Sequence, residues 1–168
     1  MYMKIKKLKV DYKTPLKTQL EKLGIKNYLD LEEMKNLYPQ EETIYDIETG
    51  EEMLGKSPEQ CEKEFKKQGR RGLNIYEGLA IIRKCPNILK KHYIDLVGSR
   101  SERDDGVPSV FLNDDEPMLS SNGIDDSNDR WGSASCRSNR DLDIGFLDLF
   151  GTLELNGYKY EIKIKSIK

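Results

Sequence analysis

Cys136, in the segment GSASC, is the residue best suited by its surroundings to act as a nucleophile. The nearby arginines Arg130, Arg137 and Arg140 could lower the pKa of its thiol, and His92, the chain's one histidine, could serve as its base. Alternatively, Cys136 is a small buried residue at the end of a strand. The segment also departs from the G-x-S-x-G nucleophile elbow at its last position. We therefore assign no catalytic residue.

Closely spaced carboxylates between residues 104 and 129 could supply oxygen ligands to a hard cation such as Ca²⁺. They are Asp104 and Asp105, Asp114 with Asp115 and Glu116, and Asp125 with Asp126 and Asp129. A calcium loop that starts at Asp125 would need Gly and Glu where the sequence has Arg130 and Cys136. Solvated turns have the same composition. We expect no metal and no cofactor.

Arg100, in the tripeptide Gly98-Ser99-Arg100, could bind an anion through its guanidinium and the neighbouring backbone N–H groups. The alternative is that Arg100 pairs with a nearby aspartate. Arg100 and Cys136 are thus the candidate ligand-binding residues.

Trp131, the one tryptophan, follows Arg130 in a polar segment. Such a residue is either packed in the core or exposed as an anchor for a partner protein. The second alternative gives a candidate protein-binding surface that combines an aromatic anchor with acidic loops. Its residues are Asp114, Asp115, Asp125, Asp126, Asp129, Arg130 and Trp131.

The net charge of −2 hides a division along the chain. Residues 1–91 carry 19 Lys and Arg against 15 Asp and Glu, whereas residues 101–148 carry 4 against 12. An acidic middle segment repels phosphates, so nucleic-acid binding through it is disfavoured. The length of 168 residues is typical of a single domain, here with a mainly helical part at 1–91 and a mainly β part at 92–168.

Cysteine usage and hydropathy bear on the compartment. The three cysteines are far apart and odd in number, which favours free thiols over a disulfide framework. The sequence has no run of 18 apolar residues and no apolar core of a secretory signal. We predict a cytoplasmic protein with no membrane contact.

Apolar spacing and end signals predict four short helices in the first part of the chain. The first begins after Thr14 as N-cap and ends at Gly24, and the others span about 29–37, 58–68 and 75–85. A further turn is expected at 87–91, after Pro86. Capping boxes are predicted for Ser57 with Gln60 and for Asn74 with Glu77.

The second part reads as antiparallel sheet. Strands are predicted at 107–112 and 118–119, and a type I′ hairpin about Asn156-Gly157 joins TLEL to YKYEIKIKSIK. A short strand at 3–10 and another in ETIYDIE come earlier. The predicted fold is α+β, with N-terminal short helices packed on a mostly antiparallel C-terminal sheet.

The segment LNIYEGLAIIRKCPNILKKHYIDLVGSR at 73–100, followed by VP, RWGSASC and an arginine within 107–137, resembles an uncharacterised bacterial family. The resemblance covers about 65 residues. It implies a bacterial or phage origin and a shared structural core, and it implies no activity.

The acid excess favours a small non-enzymatic module that binds a basic, nucleic-acid-binding site of a partner protein, as an immunity protein or a phage-encoded inhibitor would. The competing hypothesis is an enzyme or a ligand-binding or metal-binding domain that uses Cys136, Arg100 and the loop aspartates. Exposed edges of the terminal strands could also support a homo-oligomer.

Overall fold

The computed structural model describes residues 3–138 and the strands at 153–155 and 158–160. The chain divides into two compact units, Met1–Arg137 and Ser138–Lys168. The α+β class is confirmed. The expectation of a single domain stays a prediction.

Three α-helices occur in the described residues of the first unit, and each has local signals in the sequence. They are α1 (Leu16–Leu23), α2 (Pro58–Lys67) and α3 (Ile75–Lys84). Both capping boxes are confirmed, because Ser57 and Gln60 bond reciprocally at the start of α2 and Asn74 and Glu77 do so at the start of α3. Single turns of 3₁₀ helix occupy Leu31–Glu33, Glu51–Met53 and Ile88–Lys90.

Two predictions in the helical part are wrong. The segment 29–37 forms one 3₁₀ turn and then a strand, Met34–Asn36, because the backbone of that strand pairs with Ser99–Ser101. Thr14 does not cap α1; its N–H donates to Asp11 Oδ1 at 3.0 Å, and Pro15 is the N-cap residue. Gly24 ends α1 in the left-handed conformation, as predicted.

The strands of the first unit are short and come from both parts of the chain. They are β1 (Lys4–Lys9), β2 (Lys26–Asn27), β3 (Met34–Asn36), β4 (Thr43–Glu48), β5 (Arg70–Gly72), β6 (Tyr93–Asp95), β7 (Ser99–Ser101), β8 (Val107–Asn113), β9 (Glu116–Asn122), β10 (Trp131–Ser133) and β11 (Ser135–Arg137). One sheet has the order β1-β4-β11-β5 and a second has the order β10-β6-β8-β9-β2. A separate antiparallel pair joins β3 and β7.

Most pairs are antiparallel, but β10 pairs with β6 and β2 pairs with β9 in parallel. β8 and β9 form a tight hairpin in which Asn113 pairs with Glu116, so the turn consists of Asp114 and Asp115. Both turn residues have positive φ, 48° and 64°. Positive φ at both central residues is the requirement of a type I′ turn, which is usually met by Asn-Gly.

Ala134 separates β10 from β11 and connects the two larger sheets. Its N–H donates to the carbonyl of Asp95 on β6, and its own carbonyl accepts from Leu73 N–H, directly after β5. The segment Trp131–Arg137 therefore passes from the five-stranded sheet into the four-stranded sheet.

The main core lies where α1 and α3 pack against the strands, and it is composed of aliphatic side chains such as Leu20, Ile47, Leu79 and Ile94. Gly78 is needed inside α3, because a Cβ there would lie 2.4 Å from Leu96 Cδ2. A smaller core places α2 on the other side of the five-stranded sheet. Its members are Met53, Cys61, Phe65, Val97 and Val107.

In the second unit, β12 (Leu153–Leu155) and β13 (Tyr158–Tyr160) pair antiparallel, with Leu155 opposite Tyr158. This register confirms a hairpin with two loop residues. The turn conformation at Asn156-Gly157 and the predicted strand beyond Tyr160 lie outside the described residues. Within the described residues, the helices are too short and too polar to cross a membrane.

Candidate protein-binding surface

Three aromatic side chains meet on one face of the five-stranded sheet, and we call them the aromatic cluster: Tyr93, Phe111 and Trp131. Trp131 on β10 lies beside Tyr93 on β6 in the parallel ladder, with ring centroids 5.1 Å apart. The Phe111 ring on β8 lies 5.2 Å from Trp131 and 5.9 Å from Tyr93. All three side chains are half-buried, so part of each ring faces solvent. Met118, opposite Phe111 on β9, extends this partly apolar surface.

Arg130 lies over the aromatic cluster. Its guanidinium carbon is 4.6 Å from the centroid of the Tyr93 ring, within the range of a cation–π contact. The Tyr93 N–H donates to the Arg130 carbonyl at 2.8 Å, and this bond fixes the backbone of Arg130 next to β6. The face of the cluster thus already accommodates one cation that is largely exposed to water.

The segment from Gly123 to Arg130 is the acidic loop, and it leads directly into the aromatic cluster. Asp125, Asp126 and Asp129 are all exposed. Asp126 Oδ2 accepts from Gly123 N–H at 3.0 Å, which closes the first turn of the loop. The Ile124 carbonyl accepts from Glu59 N–H, so the loop is attached to the start of α2. These bonds fix the first part of the loop, and at its other end Asp129 directly precedes Arg130 in the chain.

Asp114 and Asp115 form the exposed tip of the β8–β9 hairpin. The tip lies three residues beyond Phe111, which is about 10 Å along an extended strand. Asp115 lines a cleft together with Leu112 and Pro117. Leu112 follows Phe111 on β8 and pairs with Pro117 on β9, so both side chains lie on the face of the sheet opposite Phe111. The structure therefore places Arg130 and Trp131 at the aromatic cluster, directly after the acidic loop in the chain, and it places the hairpin tip at the far end of β8, beyond Phe111.

A buried carboxylate, absent from the sequence-based predictions, lies beneath the acidic loop. Asp95 on β6 is 1% exposed, and its Oδ1 accepts from Ser109 Oγ at 2.5 Å and from Asn122 Nδ2 at 3.2 Å. Burial raises the pKa of Asp95, and both hydrogen bonds oppose that rise. Because Asn122 is the last residue of β9, Asp95 anchors the point at which the acidic loop begins.

Arg100 is buried and already paired. Its guanidinium forms ion pairs with Glu62 at 2.7 Å and with Asp105 at 3.7 Å, and it donates to the carbonyls of Val97 and Ser99. Burial raises the pKa of Glu62, while Arg100 opposes the rise. These contacts agree with the alternative that Arg100 pairs with neighbouring acids.

Cys136 is fully buried on β11, opposite Arg71 on β5. Burial raises the pKa of its thiol to about 12, although Arg71 opposes the shift. His92 is also buried, and its Nε2 lies 2.8 Å from the Thr49 carbonyl. Within the described part of the chain, the hydrogen bonds of His92 and Arg100 go to other residues, and neither side chain bonds to Cys136. The competing hypothesis needs Cys136 as nucleophile, His92 as base and Arg100 as anion site, and these contacts do not connect the three.

Tyr93 and Phe111 are surface residues that the sequence-based reasoning missed. The signal that could have found them is a two-residue spacing, Tyr93 from Asp95 and Phe111 from Ser109, which puts an aromatic and a polar residue on one face of each strand and leaves Ile94 or Val110 on the other. Within the described residues, no three His, Cys, Asp or Glu side chains are grouped as metal ligands.

A family model, described as a family of unknown function (DUF5701), matches residues 5–140. The chain belongs to this family. The match includes the 73–137 pattern of the sequence analysis and extends towards the N-terminus to residue 5, so β2 to β11 and all of β1 except Lys4 lie within the family region. Neither the search of curated proteins nor the search of solved structures found a match.

Membership of the DUF5701 family carries no activity with it. The aromatic cluster, Arg130 and the acidic loop all lie within the family region, and they form its candidate binding surface.

Proposed function

We propose that this protein is a small cytoplasmic, non-enzymatic binding module whose aromatic cluster and acidic loop engage a basic surface of a partner protein. The observation that carries the proposal is that Trp131, Tyr93 and Phe111 are half-buried together and that a loop with three exposed aspartates leads directly into Trp131. Trp, Tyr and Arg are the residue types that contribute most binding energy at protein interfaces.

The two components of the surface would act at different stages of binding. The aspartates of the acidic loop would steer a basic partner during encounter, which raises the association rate at low salt. The aromatic cluster would then be buried against the partner and would slow dissociation. Arg130 would form part of the rim, because it already covers one face of Tyr93.

The partner chemistry follows from the charges. A surface of carboxylates beside flat aromatic rings resembles, in charge, the phosphates that a nucleic-acid-binding protein contacts. The partner would therefore be a protein with a basic, nucleic-acid-binding site, and the module would block that site. An immunity protein that neutralises a toxin, or a phage-encoded inhibitor of a host nuclease, would work in this way.

The first experiment is affinity capture from lysate of the source cell at low salt, with retained proteins identified by mass spectrometry. The test variant is the triple substitution Asp125→Asn, Asp126→Asn and Asp129→Asn. Asn can still accept the hydrogen bond from Gly123, so the loop conformation should persist. The control variant, Glu21→Gln, Glu32→Gln and Glu42→Gln, removes the same charge at exposed positions outside the surface.

The expected result is a basic protein retained by the wild type and by the control variant but lost with the Asp triple variant. Association and dissociation rates measured with that partner should then distinguish the contribution of the acidic loop from that of the aromatic cluster. The Asp triple variant should lower the association rate and flatten its salt dependence, whereas Trp131→Ala should mainly raise the dissociation rate. Equal retention by all variants would contradict the proposal.

A further inference from the structure

The described part of the chain has a second surface feature, on the face of the five-stranded sheet opposite the aromatic cluster. A cleft of about 510 Å³ opens between the ends of α1 and α3, the 3₁₀ turn at Ile88–Lys90 and the tip of the β8–β9 hairpin. This volume lies within the usual range for sites that bind small molecules. Its apolar lining consists of Leu23, Ile82, Pro86, Leu89, Leu112 and Pro117.

Two cations lie on the helical side of this cleft. Lys90 is exposed and forms no ion pair among residues 3–138. Arg83 is also exposed, and its Nη2 donates to Gln19 Oε1 at 2.8 Å. A guanidinium has five N–H donors, so this bond leaves several of them for a ligand.

Gln19 makes Arg83 a positioned group rather than a loose surface cation. The Gln19 side chain is 2% exposed, and its Nε2 donates to the carbonyls of Asp11 at 2.7 Å and Thr14 at 2.8 Å. These two bonds fix the amide so that its oxygen faces Arg83. A cation held in this way loses less conformational entropy when it binds a ligand.

The hairpin side of the cleft contributes one acid, Asp115. An anionic group on a ligand would be repelled by Asp115 and attracted by Arg83 and Lys90. These charges would therefore fix the orientation in which a ligand with one anionic end binds. The apolar lining between them suits a hydrocarbon body.

We propose that this cleft binds an aliphatic monocarboxylate, with the carboxylate at Arg83 and Lys90 and the hydrocarbon chain along the leucine and proline side chains. The inference is independent of the proposed protein-binding function, because the two sites use different residues on opposite faces of the sheet.

The test uses decanoate as the probe, titrated into the full-length protein by calorimetry. Decanol and decyltrimethylammonium are the matched compounds that have the same chain without the negative charge. Decanoate should bind at least tenfold more tightly than either, because it alone carries a negative charge that can accept charge-assisted hydrogen bonds from Arg83 and Lys90.

The variant Arg83→Gln with Lys90→Gln should weaken decanoate binding by at least tenfold and leave decanol binding unchanged. The control variant Lys84→Gln with Lys91→Gln removes the same charge from exposed positions outside the cleft and should bind decanoate like the wild type. Asp115→Asn should tighten decanoate binding. Thermal unfolding of each variant checks that it is folded.

Three results would overturn the proposal: equal binding of all three compounds, no decanoate binding up to about 1 mM, or equal weakening by the cleft and control variants. Arg83→Lys with Lys90 intact should restore most of the affinity if charge is what the cleft provides. Unchanged partner capture by the Arg83 and Lys90 variant would show that the two sites are separate.

Discussion

Glu77 and Arg71 form a buried, two-point ion pair: Arg71 Nη1 donates to Glu77 Oε2 at 2.9 Å and Nη2 donates to Oε1 at 2.8 Å. Glu77 is fully buried and Arg71 nearly so. The same carboxylate accepts from Asn74 N–H, so it both neutralises Arg71 and caps α3. One side chain thereby connects β5 to the start of α3.

Replacing Glu77 should be strongly destabilising. Glu77→Gln keeps the shape of the side chain but leaves the Arg71 charge poorly compensated in the core, where such a loss costs about 3–5 kcal/mol. We expect the lower end of that range, because Glu41 also pairs with Arg71 at 3.1 Å. Urea unfolding measures the change. Glu64→Gln, which removes an exposed pair with Lys67, should leave the unfolding midpoint unchanged. Equal effects of the two substitutions would contradict the role of burial.

The three cysteines should differ in reactivity. Cys136 and Cys61 are fully buried, and burial raises the pKa of both thiols, whereas Cys85 is half-buried. With a pKa of about 12, about one Cys136 thiol in ten thousand would be ionised at pH 8. Iodoacetamide should therefore label Cys85 first in the native protein, and all three after denaturation, as read by peptide mass spectrometry. Preferential labelling of Cys136 would instead support an activated thiolate.

Asp95→Asn should increase stability at neutral and alkaline pH. The folded-state pKa of Asp95 is raised above its ordinary value of 3.8, so the folded protein holds this proton to higher pH than the unfolded chain does. Its contribution to stability is thus greatest below about pH 3.8 and is lost as pH rises through the raised pKa. The amide can still accept the bonds from Ser109 and Asn122.

Urea unfolding at several pH values tests this expectation. The free energy of unfolding of Asp95→Asn should exceed that of the wild type at pH 8, and the difference should shrink towards acid pH. Asp104→Asn is the control of opposite sign, because hydrogen bonds from Ser101 and Gly106 lower the pKa of Asp104. That substitution should remove stability above the ordinary pKa of the carboxyl. A variant of Asp95 that is less stable at every pH would contradict the prediction.

Asp115→Gly should stabilise the β8–β9 hairpin. Asp115 has φ of 64° in a two-residue turn, a conformation that glycine adopts without the steric cost of a Cβ. A gain of about 0.5–1 kcal/mol is expected. Thermal unfolding would show it as a higher midpoint. Asp115→Ala is the matched control, since it removes the charge and keeps the Cβ, and it should give no gain.

The parts of the fold that were predicted correctly depend on neighbours in sequence. Ser57 with Gln60 and Asn74 with Glu77 are reciprocal pairs three residues apart, so their helix starts could be read directly from the chain. The prediction failed at Met34–Asn36, where pairing with the distant strand Ser99–Ser101 overrides local helix spacing. Sequence periodicity contains no information about that partner.

The same limit applies to the candidate surface. Trp131 could be predicted as a candidate anchor because it is the one tryptophan and has polar neighbours. Its contacts with Tyr93 and Phe111 depend on the parallel pairing of β10 with β6 and on the antiparallel pairing of β6 with β8, and no local signal specifies either register. The burial of Arg100 and Cys136 follows in the same way from long-range packing.

The position of Ala134 has a consequence for how the chain is made. The four-stranded sheet lacks its link between β4 and β5, and the five-stranded sheet lacks its β10 edge, until the short segment Trp131–Arg137 is in place. During synthesis on the ribosome, the polypeptide must therefore emerge as far as Ser133 before the five-stranded sheet can be completed, and as far as Arg137 before the four-stranded sheet can be completed. We expect late, nearly simultaneous closure of both sheets, and a nascent chain with unpaired strand edges until then.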